Sequence, residues 1–319
     1  MVSSIEVILV PALMIMVGIV LRKTNVLSDN HSSLLSKIVI NISLPALIFI
    51  NISTSNILGE MIYLPLIAFG VCFISMLLAF IYSKIRSYSK VKTWTIIILL
   101  SLMNSAFIGY PIVLGVFGNE GFLNAIFFDM AIAIMFVFFG IILSTLFEGN
   151  KQEVLKNAVS FVPLWAVLFG LLFNIFNIPL GYVLENSLNY LGNSTIPLIM
   201  LSLGLTINFK DFKSYLSDTI FVSVVRLLFL PILLYVTLTC FGFDGMVLKI
   251  SVLESAMPTA MNALVLAITY DLDVELVSSV IFVTTVKYIN FTVNNKYNSL
   301  IIQEVNICQH QWKLYWYQH

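Results

Sequence analysis

Charged residues are scarce in this sequence, and their scarcity indicates its class. Only 10% of the 319 residues are Asp, Glu, Lys or Arg, whereas a typical soluble domain has about 25%. Hydrophobic residues make up 60% and the mean hydropathy is +1.00, which is more apolar surface than a soluble chain could bury. The composition therefore predicts an all-α polytopic membrane protein. The formal net charge of zero gives no electrostatic support for nucleic-acid binding.

Cysteine and histidine are also rare, and their positions argue against several kinds of chemistry. Neither a disulfide framework nor a metal-binding motif arises from the three widely spaced cysteines, Cys72, Cys240 and Cys308. All three histidines lie outside the apolar segments. Since the sequence has no paired His or Cys, no nucleophile motif and no phosphate-binding loop, we expect no enzyme, no metal and no cofactor.

About ten apolar segments are candidates to cross the membrane, for which a helix needs about 20 mostly apolar residues. Basic residues follow spans 1, 3, 5 and 7, whereas the opposite loops up to span 9 hold only Lys249. Because basic loops stay in the cytoplasm, we expect a multi-pass protein of the plasma membrane with its N-terminus outside. The segments are 5–21, 34–52, 61–82, 94–118, 121–146, 158–176, 182–206, 213–241, 246–270 and a shorter tenth from 274.

Residues recurring at a fixed spacing indicate that the two halves are related, although Pro and Gly are common enough in membrane helices to match by chance. Five pairs of identical residues are separated by 152 positions, and Ser105-Ala106 matches Ser255-Ala256 at a spacing of 150. Each half holds five spans, so the second would enter the membrane with opposite polarity, as in the inverted repeats of many secondary transporters. The pairs separated by 152 residues are Pro11 and Pro163, Gly18 and Gly170, Asn25 and Asn177, Asn41 and Asn193, and Pro45 and Pro197.

Spans 4 and 9 each contain a proline where the helix is expected to break. The stretches are Asn104-Ser-Ala-Phe-Ile-Gly-Tyr-Pro111 and Glu254-Ser-Ala-Met-Pro258-Thr-Ala-Met-Asn262. Broken backbone at this depth must face protein or a watery cavity, and half-helix N-termini there suit an anionic group. The alternative is a pair of kinks that only shape packing. The candidate substrate-binding residues are Asn104, Gly109, Pro111, Pro258 and Asn262.

Spans 2 and 7 share a second pattern, which we interpret as structural. Asn41 precedes Pro45 by four residues, and Asn193 precedes Pro197 in the same way. We expect each proline to bend its helix and each asparagine to bond across a helix interface. A direct role in substrate binding is the alternative.

Three ionisable residues fall inside the apolar spans, where insertion costs about 2.5–3.5 kcal/mol per charge. Glu254 in span 9 and Asp129 in span 5 are candidates for proton coupling, or they are carboxyl groups bonded to neighbouring groups. Arg226 in span 8 is either a counter-charge for an anion or the structural partner of one of these carboxylates, and we favour the pairing.

At these residues the sequence resembles the auxin efflux carrier family, whose bacterial members include malate and malonate permeases. The resemblance covers about residues 1–285. It is carried by Leu44-Pro45, by the stretches Asn104 to Pro111 and Glu254 to Asn262, and by Arg226-Leu227 before Pro231.

The resemblance implies ten helices in two inverted halves of five. It implies a scaffold of spans 1, 2, 6 and 7, and a transport domain in which broken spans 4 and 9 cross. Carried over by position, Asn104, Pro111 and Pro258 belong to the crossing site. Members of this family move organic anions, alone or coupled to protons or other ions, by a rocking or elevator movement.

The C-terminal part departs from that pattern. The apolar run from Leu276 stops at Val286, and Lys287 begins a polar tail. We therefore divide the chain into a first repeat (1–150), a second repeat with an incomplete fifth helix (151–286) and an atypical tail (287–319). A scrambled or frame-shifted terminus would explain the tail and would put the activity of this chain in doubt.

The leading interpretation is a secondary transporter of small organic anions, such as the dicarboxylates malate and malonate. Its expected partners are the anion and the lipid bilayer, and a homodimer is the candidate assembly. The alternatives are a sodium- or proton-coupled carrier of the bile-acid symporter or antiporter type, a membrane sensor or structural protein, and a chain made inactive by its altered C-terminus.

Overall fold

The computed structural model describes residues 4–57, 59–147, 161–206 and 215–293, and helices make up most of them. Within these ranges there is no strand apart from one isolated bridge between Met103 and Thr259. The α-helices are α1 (Ser4–Lys23), α2 (Asp29–Ile38), α3 (Leu44–Thr54), α4 (Tyr63–Ile85), α5 (Lys90–Ser101), α6 (Tyr110–Leu146), α7 (Val162–Ile175), α8 (Gly181–Asn193), α9 (Thr195–Thr206), α10 (Leu216–Val224), α11 (Leu230–Cys240), α12 (Gly245–Ser255), α13 (Asn262–Thr269) and α14 (Val274–Val293).

Four continuous helical stretches of the described residues are long and apolar enough to cross a membrane. The one that contains α6 has 42 residues, or about 63 Å at 1.5 Å per residue, which is twice a bilayer core. It is divided at Gly118, whose φ of 64° and ψ of −159° are not helical. The predicted boundary between spans 4 and 5 falls at this residue. The predicted class, an all-α polytopic membrane protein, is confirmed.

The helices pack in two groups. In the first group, α1 packs on α9, α3 packs on α7 and α8, and α2 packs on α9. In the second, α4 packs on α5 and α6, α10 on α14, and α12 on α6 and α11. The first group contains predicted spans 1, 2, 6 and 7, and the second contains the two spans that carry the predicted breaks.

Close contacts in the first group recur at positions 152 residues apart. A Cβ atom on Gly18 would lie 2.9 Å from Cα of Gly204, and one on Gly170 would lie 3.0 Å from Cβ of Ile52. Gly18 and Gly170 are related by this spacing, and so are Ile52 and Gly204. Each contact is therefore the counterpart of the other with the halves exchanged.

The turns that end α1 and α7 are also related by the spacing of 152 residues. Asn25 and Asn177 both adopt left-handed backbone, with φ of 57° and 49°. Asparagine tolerates this conformation better than most residues, and it closes a helix C-terminus. These paired features agree with a two-fold relation between the halves, and the full inverted repeat stays a prediction.

Three π-helical turns of the described chain share one cause. They span Val39–Ser43, Ser105–Gly109 and Val225–Phe229, and each ends two residues before a proline. A proline has no N–H to donate, and its ring displaces the carbonyl of the preceding turn, so a wider turn takes up the mismatch. The prolines are Pro45, Pro111 and Pro231.

The predicted bends in spans 2 and 7 correspond to interruptions in the helices, but the asparagines act differently from what we expected. Span 2 changes to the π-turn before Pro45, and span 7 is interrupted at Ser194, three residues before Pro197. Asn41 is exposed, and its Nδ2 donates to the carbonyl of Lys37 in its own segment at 2.8 Å. Asn41 therefore makes this bond within its own span, whereas we expected a bond across a helix interface. Asn193 is exposed as well.

The last described helix, α14, runs from Val274 to Val293 and extends past Val286, where the apolar run ends. Lys287 is exposed on it, and Tyr288 is buried. Residues 294–319 lie outside the described residues, so the division into two repeats and an atypical tail stays a prediction.

Candidate functional site

The breaks in spans 4 and 9 meet at the centre of the second helix group. Helix α5 ends at Ser101 and α12 ends at Ser255, and the chains beyond them pair in antiparallel fashion. The amide of Asn104 donates to the carbonyl of Pro258, and the amide of Ala260 donates to that of Leu102, both at 2.9 Å. Backbone freed from one broken helix is thus satisfied by the other, as apolar surroundings require.

The pairing also corrects one equivalence drawn from the sequence. Ser105 begins the π-turn that follows its break, whereas Ser255 is the last residue of α12 before its break. The match of Ser105-Ala106 with Ser255-Ala256 at a spacing of 150 is therefore wrong as a structural equivalence. In the antiparallel bridge, Met103 lies opposite Thr259, which follows Pro258.

A cavity of about 60 Å³ lies beside this crossing. One wall comes from the second helix group and includes Asn104, Ser105 and Asp129, while Leu44 and Pro163 of the first group form another. The cavity therefore lies between the two groups.

Asn104 has the chemistry of a ligand-binding residue. It is 3% exposed, and its side-chain Nδ2 has no hydrogen-bond partner within the described protein. Its main-chain carbonyl accepts from the amides of Ile108 and Gly109, both at 3.2 Å. A buried amide without a partner is costly, and Asn104 lines the cavity, so its side-chain amide is the candidate group to donate to an oxygen-rich ligand.

Asp129 borders the cavity from span 5. The hydroxyl of Ser105 donates to its Oδ1, and the hydroxyl of Tyr110 donates to Oδ2 at 3.0 Å. Asp129 also lines a second, smaller cavity that Tyr110 borders. Its carboxyl group therefore lies between two spaces and is held by two hydroxyl groups.

Glu254 is placed differently from Asp129. It is fully buried, neither carboxyl oxygen has a partner within the described residues, and it does not line the cavity. A Cβ atom on Gly109 would lie 2.6 Å from its Oε1. Glu254 is therefore packed against the π-turn of span 4.

The structure brings together only some of the predicted site residues. Asn104, Asn262 and Asp129 line the cavity. Pro258 contributes a carbonyl to the bridge, and Gly109 makes room for Glu254. Pro111, in the first turn of α6, is buried away from the lining.

Sequence reasoning missed three hydroxyl groups at the site. Ser105 and Tyr110 hold Asp129, and the hydroxyl of Thr259 donates to the carbonyl of Leu99 at 2.9 Å. The quoted motifs contain all three residues, but one sequence cannot pair Ser105 with a carboxylate 24 residues away. The spacing carries no signal for such a contact.

The charge around the cavity is unusual for an anion site. No Lys, Arg or His is among its lining residues, and Asp129 is the one residue with a charge among them. The available positive potential comes from helix starts: the π-turn begins at Ser105, and α13 begins at Asn262. Each N-terminus carries about half a positive charge, although in α13 the amides of Ala263 and Leu264 already donate to the carbonyls of Ala260 and Met261.

Paired helix breaks around a central cavity, in a polytopic helical membrane protein, are the arrangement typical of a secondary transporter. The comparisons with known proteins agree. The chain belongs to the family described as membrane transport protein, whose model matches residues 3–292, and this is the auxin efflux carrier family expected from the motifs.

Several relatives match this chain. An uncharacterized transporter of Methanothermobacter thermautotrophicus is 37% identical over 286 residues, covering 89% of this chain and 94% of the relative. An uncharacterized transporter of Methanocaldococcus jannaschii is 33% identical over 289 residues, covering 88% and 94%. A putative malonate transporter of Rhizobium meliloti is 26% identical over 103 residues, or 32% of each chain.

Proposed function

We propose that this protein carries small organic anions, in particular dicarboxylates such as malonate and malate, across the plasma membrane. The observation that carries the proposal is the buried, unpartnered amide of Asn104 in a cavity between two helix groups. The helix starts at Ser105 and Asn262 border the same space and suit a carboxylate. The putative malonate transporter among the relatives supports this choice of substrate.

The proposed mechanism is alternating access at the boundary between the groups. The scaffold is the first group (α1–α3 and α7–α9), and the transport domain is the second. Because the cavity has walls from both groups, their relative movement would open it to one side of the membrane and then to the other. The proposed orientation has the N-terminus outside, because basic loops stay in the cytoplasm.

Asp129 is the proposed proton carrier. A charged carboxylate lining the cavity would repel an anion, and the lining has no cationic side chain to offset it. The anion would therefore bind with a proton on Asp129. Glu254, which lies away from the cavity, is the second candidate for this role.

The test is counterflow in proteoliposomes made with the full chain. Liposomes loaded with unlabelled malonate should accumulate radiolabelled malonate, and malate should compete. A panel with acetate, a bile acid and an amino acid tests the substrate class, and replacing sodium by potassium tests the sodium-coupled alternative. Absence of exchange with every carboxylate would refute the proposal and favour the inactive-chain alternative.

A further inference from the structure

Arg226 is a fully buried cation that bonds to both helix breaks. Its Nε donates to the carbonyl of Met257 at 3.1 Å, and its Nη1 donates to the carbonyl of Leu100. Its exposed fraction is 0%. We expected a carboxylate partner for this residue, but its bonds in the described part of the chain go to main-chain oxygens.

The two carbonyls explain how the charge is tolerated. Leu100 is in the last turn of α5, and Met257 lies two residues beyond the end of α12. Each helix C-terminus carries about half a negative charge, so two that converge present about one. The guanidinium neutralises this charge in a fully buried position, where its Nη2 has no partner among the described residues.

The sequence places Arg226 there through Pro231. The missing amide of this proline is accommodated by the π-turn Val225–Phe229, in which Arg226 is the second residue. A π-turn shifts the register of a helix by one residue, and such turns are frequent at functional sites. Here the residue on the turn reaches the crossing of two other helices.

We propose that Arg226 is a positioning residue that holds the two helix breaks together as one rigid crossing and so fixes Asn104 in the cavity. The placement of Asn104 for binding rests on the proposed function, whereas the joining of the two helix breaks does not. The guanidinium donates to the two carbonyls from separate nitrogens held in a fixed plane, whereas lysine would have to reach both from one nitrogen at the end of a flexible chain.

Cys72 is a native reporter for this crossing. It is fully buried on α4, and its Sγ donates to the carbonyl of Ser101, the last residue of α5, at 3.4 Å. Loosening of the crossing should therefore expose its thiol. In a background with C240S and C308S, Cys72 is the one remaining cysteine, and N-ethylmaleimide labelling followed by mass spectrometry measures its exposure.

The experiment compares R226M and R226K with the parent in detergent, well below their melting temperatures. R226M should label at least about tenfold faster, because both charged hydrogen bonds are lost, and R226K should be intermediate. R22M is the matched control, since Nη1 of Arg22 donates to the carbonyl of Leu205 at the end of α9, in the other group. It should label like the parent.

Equal labelling of R226K and the parent would overturn the proposal, as would an equal rise in R22M. If R226M does not insert into the membrane, the comparison of R226K with the parent tests the proposal. In proteoliposomes, R226K should raise KM more than it lowers maximal flux, because the site is misplaced rather than lost. Absence of transport in the parent would refute the proposed function. The labelling result would still test independently whether Arg226 holds the two helix breaks together.

Discussion

The carboxyl group of Glu254 occupies the space beside Gly109 that the Cβ atom of any other residue would fill. Its Oε1 and Cδ lie 2.6 Å and 2.8 Å from that position. Gly109 ends the π-turn of span 4, and Glu254 is in the last turn of α12. The glycine that we first considered a substrate-binding residue is thus a contact between the two broken helices.

G109A should destabilise the protein by about 1–3 kcal/mol, because the added methyl group overpacks a buried contact. The measurement is the melting temperature in detergent, together with malonate exchange. G70A is the matched control, since a Cβ atom there has open space around it. Equal melting temperatures of G109A and the parent would contradict the contact.

Shortening Glu254 should partly rescue that variant. In the double variant G109A/E254A, the space left by the carboxyl group accommodates the new methyl group. The double variant should lose less free energy of unfolding than the two single variants together, by at least about 0.5 kcal/mol, as for residues in direct contact. Strict additivity in the double-mutant cycle would show that the two residues do not interact.

N104A should weaken malonate binding without loss of folding. The side-chain Nδ2 has no partner in the described protein, so its removal costs little stability. Loss of one hydrogen bond to a charged ligand is worth about 1.5–3 kcal/mol, or roughly 10- to 150-fold in apparent affinity. Exchange kinetics measure this change, with N41A as the control because Asn41 is exposed. Unchanged KM in N104A would remove this residue from the site.

D129N should flatten the dependence of KM on pH. In the parent, anion affinity should rise as the pH falls, because a proton on Asp129 removes a negative charge from the cavity. An amide at this position is always neutral. E254Q should keep the pH dependence, because Glu254 does not line the cavity. The opposite pattern in the two variants would assign the proton to Glu254.

D218A should destabilise the second helix group by about 1.5 kcal/mol or more, since charged hydrogen bonds are lost. Oδ1 of Asp218 accepts from the hydroxyls of Tyr82 at 2.9 Å and Tyr88 at 2.5 Å, and Oδ2 pairs with Lys92 at 2.8 Å. The melting temperature of D218A, compared with that of D244A at an exposed aspartate, tests this. Equal melting temperatures would contradict it.

The sequence predicted the features that depend on local backbone chemistry. Pro111 and Pro258 marked the broken spans, and the segment boundary near Gly118 marked a kink within one helical stretch. The membrane class followed from composition because a soluble fold could not bury this much apolar surface, whereas a bilayer can. These predictions rest on what a single residue or a single run can do.

Features that join distant segments could not be predicted in this way. Arg226 was expected to pair with a carboxylate, and it bonds to carbonyls of Leu100 and Met257 instead. Main-chain carbonyls carry no sequence signal, so no motif could identify them. The pairing of Ser105 with Asp129 depends on how two helices rotate, which is decided by packing across the whole group.

The reciprocal contacts of the first helix group are not identical. Glycine meets glycine at Gly18 and Gly204, whereas glycine meets isoleucine at Gly170 and Ile52. Because no side chain separates the two backbones at the first contact, a methyl group on Gly18 or Gly204 would force α1 and α9 apart.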